Sequence, residues 1–393
     1  MTVDRSPDRP WCRRRSLSET AAILEASAPR FGVARIGSIT RLDGIGIPAV
    51  TAVRADPIGE SVSVCTGKGA TELEARVGAL AEALERYCAE PRDRIEIITA
   101  PYEAQAPNAL APESLTLPAG ADPRAPLDWV RGYKLAGASS KPIWIPANAV
   151  FFPYHPHNGA SPLFASHTTG IATGATVEEA LVFGLLECIE RDAYSRAVAL
   201  AGAGRGEEIP VITIEDARRV ARAEIDALVR AGMTFLIRDL TCDTDVPTYL
   251  CTISDGFHAH SGCTARPDGA HALREAIREA TQSRLTDIQG AREDLAERGL
   301  RSEVDAWFLQ PGAAPTTAVR QGRHEDDAAV VLNQLDRQLR ALPQAVEAVW
   351  VDLSLEGVEA AVVRAITPGL EIWAFDPSRA GTRGQSWLCP PEA

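Results

Sequence analysis

The sequence predicts an α+β fold with mixed or antiparallel sheets and one repeated helix. Three observations carry this. Short β-branched runs bounded by Gly and Pro recur along the chain. Helical patterns fall among them in mixed order rather than in strict alternation. One helical pattern also occurs twice, at residues 70–87 and 175–192.

Taken in order, a polar tail over residues 1–30 leads into a short helix, Ser18 to Ala26. Val33 to Ile36, Ile45 to Val50 and Val62 to Val64 read as strands joined by turns. A Pro- and Ala-rich connector covers roughly 101–127, ahead of strands at Trp129–Tyr133 and Ile143–Pro146. Ile209 to Ile214 and Phe235 to Asp239 read as buried strands flanking a helix, Glu215 to Ala231, with Tyr249 to Ile253 close by. A third strong helix is expected over His271 to Ile288 and a fourth over Ala328 to Leu342. Val349 to Leu353 and Val362 to Ile366 are the last strands expected. The organisation predicted is an N-terminal segment, 1–61, packed on a main domain, 62–393.

Composition narrows the function. With 393 residues, 45% apolar and 24% charged, the chain can build a sizeable core. A formal net charge of −13 with no long basic run argues against nucleic acid and favours a site that gathers cations. None of the eight cysteines forms a Cys-x-x-Cys pair, so zinc-ribbon and thioredoxin readings are weak. Arg13-Arg14-Arg15 is followed by no apolar stretch of signal length, and no 18-residue apolar run exists. The chain reads as cytoplasmic, with no membrane partner.

The repeat is the informative feature. Residues 70–87 and 175–192 align without a gap at an offset of 105, and half of the pairs are identical. The shared positions include Thr71/Thr176, Glu74/Glu179, Glu82/Glu187, Glu85/Glu190 and Arg86/Arg191. Thr71 and Thr176 suit N-caps, each with a glutamate three positions later. Val77, Leu80, Ala81 and Leu84 form an apolar stripe that Val182, Leu185, Leu186 and Ile189 repeat. A single Glu-x-x-Glu-Arg reads as a solvated helix face with i to i+4 ion pairs. A second copy in the same register does not, because nothing about solubility demands the pattern twice. If the helices face each other, four carboxylates converge and repel unless protons or cations neutralise them. Magnesium prefers oxygen ligands and couples carboxylates to nucleotide phosphates.

Other candidates are weaker. Cys65-Thr66-Gly67-Lys68-Gly69 is not a Walker A motif, since Val62 and Gly69 stand where Gly and Ser or Thr belong. A glycine-flanked lysine before a helix can still meet an anion, though a plain turn is as good a reading. The helix at 271–288 aligns Glu275, Glu279 and Gln282 on one face, with Arg284 and Arg292 following as candidates for phosphate charge. His155-x-His157 and His258-x-His260 lack the partners of a zinc site. No Gly-x-Ser-x-Gly or His-Glu-x-x-His is present.

Together the motifs resemble the YcaO family: Gly67-Lys68-Gly69 before Glu82-x-x-Glu85-Arg86, then Thr169-Gly170-Ile171-Ala172-Thr173-Gly174 before Glu187-x-x-Glu190-Arg191-Asp192. Glu279 to Thr286 and Pro368-Gly369-Leu370-Glu371 complete the series, which runs from about residue 40 to 371. The resemblance implies one large α+β domain that uses ATP and magnesium to phosphorylate a peptide amide oxygen. It implies magnesium binding by Glu82, Glu85, Glu187 and Glu190. It also implies ATP contacts or positioning by Lys68, Arg86, Glu179, Arg191, Glu279, Gln282 and Arg284. Gly78 and Thr169 depart from the family's frequent Ser and Asn.

The segments Thr40–Pro48 and Gln282–Asp294 resemble members that act with a TfuA-like partner, and the ending Cys389-Pro390-Pro391-Glu392-Ala393 lacks an alternating proline tail. The resemblance therefore favours thioamidation of a precursor peptide or protein, with a sulfur donor, and allows for a homodimer. Azoline formation is the alternative. A non-catalytic scaffold that binds a leader peptide or nucleotide is the third reading.

Overall fold

A computed structural model describes residues 9–92, 94–135, 141–157, 159–291, 307–310, 312–322 and 325–388. Arg292 to Asp294 and Cys389 to Ala393 lie outside the described residues. The expected α+β class is what forms, and among the described residues the strands divide among three sheets.

Helix α1 (Leu17–Ser27) starts at Ser16, whose side chain and that of Glu19 make a reciprocal capping box. Strands β1 (Val33–Ser38), β2 (Ala49–Arg54) and β3 (Val64–Lys68) form an antiparallel sheet in chain order. Helix α2 (Glu72–Ala89) packs on it, burying Ala75, Ala79, Leu80 and Leu84. The second sheet holds β4 (Ile98–Ala100), β5 (Leu127–Lys134), β6 (Lys141–Pro146) and β7 (Ile171–Gly174), together with β13 (Val349–Asp352) and β14 (Ala361–Ile366). Between β4 and β5 lies the one-turn helix α3 (Tyr102–Gln105). The 26-residue helix α4 (Val177–Gly202) lies against β7 and β14, with Val182, Leu185, Leu186 and Ile189 all buried.

The third sheet has the order β11 (Ala259–Ala265), β10 (Thr248–Ser254), β9 (Thr234–Asp239), β8 (Val211–Ile212) and β12 (Thr316–Thr317). Among the described residues of this sheet only β8 and β12 run parallel. Short helices α5 (Ile214–Val220) and α6 (Arg222–Arg230) stand where one helix was expected, because Ala221 leaves helical geometry at φ −134, ψ 44. Helix α7 (Gly269–Gln289) covers the sheet through Ala272, Leu273, Ala276, Ile277 and Ala280.

Several expected strands are shorter than read. Asp43 accepts from the Ile45 amide at 3.0 Å, and Thr40 Oγ1 caps Ala49, so pairing starts only at Ala49. Ile45 and Ile47 are apolar because they pack into the core against α7, not because they lie in a strand. The run 209–214 keeps two paired residues: Pro210 has no N–H to give, and Thr213 already caps α5. Gly67 and Lys68 are the paired end of β3, not a turn.

Candidate active site

Three helices, α2, α4 and α7, approach the ends of three strands, and small residues set how closely. A Cβ on Gly67 of β3 would fall inside contact distance of Ala75 O and Ala79 N of α2. A Cβ on Gly262 of β11 would strike Ala280 N and Ala276 O of α7. Without those side chains the helix backbones sit directly on the strands, and helix carboxylates reach strand amides.

The paired glutamates use that reach. Glu82 accepts from Thr66 N at 2.8 Å, and its repeat mate Glu187 accepts from Gly170 N at 3.0 Å. Glu85 crosses to the other half, accepting from Thr173 N of β7 at 2.7 Å, while Glu190 accepts from Ala265 N at the end of β11 at 3.3 Å. Arg86 and Arg191 make matching i to i+4 pairs with Glu82 (3.1 Å) and Glu187 (3.5 Å). Burial, then Glu82 and Glu187, push the Glu85 carboxyl up to about 8. Burial, then Glu279, with a further contribution from Glu187, push Glu190 up to about 8 despite Arg191. The two repeat helices therefore feel each other's charge, and α7 joins them through Glu279.

On the α7 side, Lys68 Nζ pairs with Glu279 at 2.7 Å. Burial opposes the Lys68 charge, but Glu279 and Glu275 outweigh it and raise its pKa. Gln282 donates its side-chain amide to Thr66 O, tying α7 to β3 beside Glu82. Two site candidates lie in other arrangements. Glu179 accepts from Ala175 N at 2.8 Å and from Arg14 N, so its carboxylate secures the α4 N-terminus and the N-terminal segment. Glu74 does the same at Ala70 in α2, and Thr71 and Thr176 are the N-caps expected. Arg284 is engaged by Asp255 at 2.7 Å and Asp43 at 3.3 Å.

The donor set suits a hard cation and a polyphosphate. It is all oxygen, it is charged, and two of its members are strained toward protonation. Buried Thr66 Oγ1 and Arg191 Nε have no partner among the described residues, leaving donors for a further anion. Among the described residues only Asp192, Cys242 and Asp243 bring three ligand atoms within 4.8 Å of one another. That trio is no metal centre, because Arg383 already spans both carboxylates at 2.7 Å. The glutamates are spaced more widely, which fits magnesium, an ion that takes few carboxylates and completes its shell with phosphate oxygens and water. Neither His pair joins a metal-binding group among the described residues: His157 lies by Asp128 and His260 by Asp287.

Sequence reasoning passed over Arg13. Its guanidinium lies 3.8 Å from the Phe183 ring centroid, donates to Thr173 O at 3.0 Å, and acts electrostatically on Glu85. The Arg13–Arg15 run was visible, but its use depends on the tail folding back over β7. Arg266 likewise faces Glu190 with no sequence signal.

A family model described as "YcaO cyclodehydratase, ATP- and Mg2+-binding" matches residues 66–371. An uncharacterized protein of Methanothermobacter thermautotrophicus is 36% identical over 94% of this chain and 97% of its own length. A Rhizobium leguminosarum bv. trifolii protein, named for its place in the tfuA 3′ region, is 29% identical over 90% of this chain and 87% of its own. Among solved structures, YcaO from Methanopyrus kandleri bound with AMPPCP and Mg2+ is similar with a TM-score of 0.73 and 25% identity, covering 94% of this chain and 95% of that one. A heterocyclase in complex with substrate and cofactor shares the fold at a TM-score of 0.73 and 16% identity, over 94% of this chain and 54% of that one.

Proposed function

Because the chain belongs to the YcaO family, whose domain binds ATP and Mg2+, we propose that it activates a peptide backbone amide by O-phosphorylation and forms a thioamide there. The observation that carries the reading is the convergence of the four amide-anchored repeat carboxylates, with Glu187 acting on both Glu85 and Glu190 and Glu279 of α7 acting on Glu190. Glu82, Glu85, Glu187 and Glu190 would hold magnesium; Lys68, Arg86, Arg191 and Gln282 would face phosphates, with Glu279 setting the position of Lys68. Magnesium held there would supply positive charge to the nucleotide phosphates. The strand amides of Thr66, Thr173 and Ala265 and the turn amide of Gly170 fix the four carboxylates before any ligand arrives, so little reorganisation is left for the reaction. Arg86 and Arg191 hold Glu82 and Glu187 in place through their i to i+4 ion pairs.

Thioamide formation, a TfuA-like partner and a separate sulfur donor are favoured by the relative in the tfuA 3′ region. Azoline formation on a Cys, Ser or Thr of the peptide is the second reading, favoured by the family model's description as a cyclodehydratase. The substrate is a precursor peptide or a protein, and we place the enzyme in the cytoplasm; among the described residues no helix is long and apolar enough to cross a membrane. Mass spectrometry of the treated peptide separates the products: sulfur for oxygen makes it heavier, cyclodehydration makes it lighter by one water. A dehydrated product formed without added sulfide removes the thioamide reading. Glu190→Gln tests the site, with an expected loss of at least ~100-fold in peptide-dependent phosphate release. Wild-type turnover in that variant takes Glu190 out of the site, and no turnover in the wild type with its peptide favours a scaffold.

A further inference from the structure

Helix α4 also contributes Cys188 to a cavity, partly open to solvent, beside the carboxylate site described above. Its apolar wall includes Phe164, Ile366 and Leu370, and its polar wall His167, Arg364 and Arg379. Both arginines are buried, at 1% and 3% exposure, and neither pairs with a carboxylate among the described residues. Arg364 is spent on Ala149 O and His167 O, each at 2.9 Å, and on His167 Nδ1 at 3.3 Å. Arg379 stacks 3.6 Å from the Phe164 ring centroid and donates to Thr116 O at 3.0 Å and Leu115 O at 2.8 Å. Its Nη1 is buried without a partner.

This is an unusual distribution of charge. Glu371, the nearest buried carboxylate, gives both oxygens to Gly381 N and Gly384 N. Asp376 acts on Arg379, and Glu187 on Arg364, only beyond ion-pair range, and Arg364 destabilises the Arg379 charge. Because Nδ1 of His167 accepts from Arg364, its proton sits on Nε2, so the ring too presents a donor. Buried cations without an ion-pair partner are costly unless a ligand brings one. A free phosphate would ask for several converging donors, whereas one unpartnered guanidinium nitrogen beside an aromatic and aliphatic wall suits a carboxylate on an apolar stem.

We propose that this cavity is a substrate subsite that takes a free carboxylate of the peptide, from its C-terminus or an acidic side chain, to satisfy the unpartnered Nη1 of Arg379. The assignment rests on the peptide-modifying reading, but binding alone tests it, without turnover. Saturation-transfer NMR with the full chain would compare N-acetyl-leucine, N-acetyl-glutamic acid α-amide and N-acetyl-leucinamide. One or both acids should bind with Kd of order millimolar and the leucinamide at least ~10-fold more weakly; whichever acid binds identifies the source of the carboxylate. Arg379→Gln should abolish acid binding, and Arg379→Lys should retain part of it. The comparison of acids with amide in the wild type stands even if these variants fail to fold. Equal binding of acid and amide, or no binding of either acid at ~20 mM, overturns the assignment. Displacement by inorganic phosphate or by AMPPCP also overturns it, by giving the cavity to an inorganic ion or to the nucleotide. AMPPCP binding measured separately reports whether the nucleotide site itself is intact.

Discussion

Replacing Glu85 by glutamine in nucleotide- and magnesium-free protein isolates the electrostatic load of the site. Burial, Glu82 and Glu187 hold the carboxyl at about 8 instead of 4.5. At about 1.4 kcal/mol per unit, the ionised form carries about 5 kcal/mol relative to the protonated one. Water entry and side-chain relaxation recover part of that, so the variant should gain roughly 2–3 kcal/mol. Glutamine keeps an oxygen for the Thr173 amide and loses only the charge. The folded-state pKa lies above the unfolded one, so the folded protein binds more protons between them. The stability from protonated Glu85 is complete below about pH 4.5 and is lost as pH rises through about 8. Urea unfolding followed by circular dichroism should find wild type and variant similar at pH 5 and the variant more stable at pH 9. A variant no more stable than wild type at pH 9 refutes the claim that these carboxylates strain one another.

Three further outcomes follow from the same contacts. Binding of magnesium with AMPPCP at pH 7 should release roughly one to two protons, because Glu85 and Glu190 both sit at about 8 and must ionise to ligate; calorimetry in buffers of different ionisation enthalpy reads this, and buffer-independent heats contradict it. Gly67→Ala should lose about 2–3 kcal/mol in urea unfolding, since its methyl would collide with backbone atoms of α2 that cannot swing aside; a neutral result means the strand and helix are not locked together. Arg383→Ala should cost about 3 kcal/mol by stranding fully buried Asp192, and adding Asp192→Asn should restore most of it. Equal stability of the single and double variants would show that the buried charge is not what matters.

Much of the site was legible because its signal is local. Thr71 and Thr176, three residues before Glu74 and Glu179, marked the helix starts, and the duplicated Glu-x-x-Glu-Arg set four carboxylates at one register. The third helix showed Glu279 and Gln282 on one face, where they meet Lys68 and Thr66. Ile45 and Ile47 misled, since burial against α7 and burial in a strand leave the same apolar alternation. Arg284 and Glu179 show the complementary limit: a charge on the expected helix is still free to choose a nearby partner, Asp255 in one case and backbone amides in the other.

By itself the sequence determined what repeats at helical spacing: the caps, the apolar stripes and which glutamates share a face. Only the tertiary structure decided which strand amide each glutamate meets, that Glu85 crosses to β7, that Arg13 folds over Thr173, and that Arg383 claims Asp192. These contacts join residues far apart in the chain, and their partners are backbone groups or single charges that every sequence contains in plenty. Periodicity records the geometry of one element, whereas selection among such partners is made only when the elements pack.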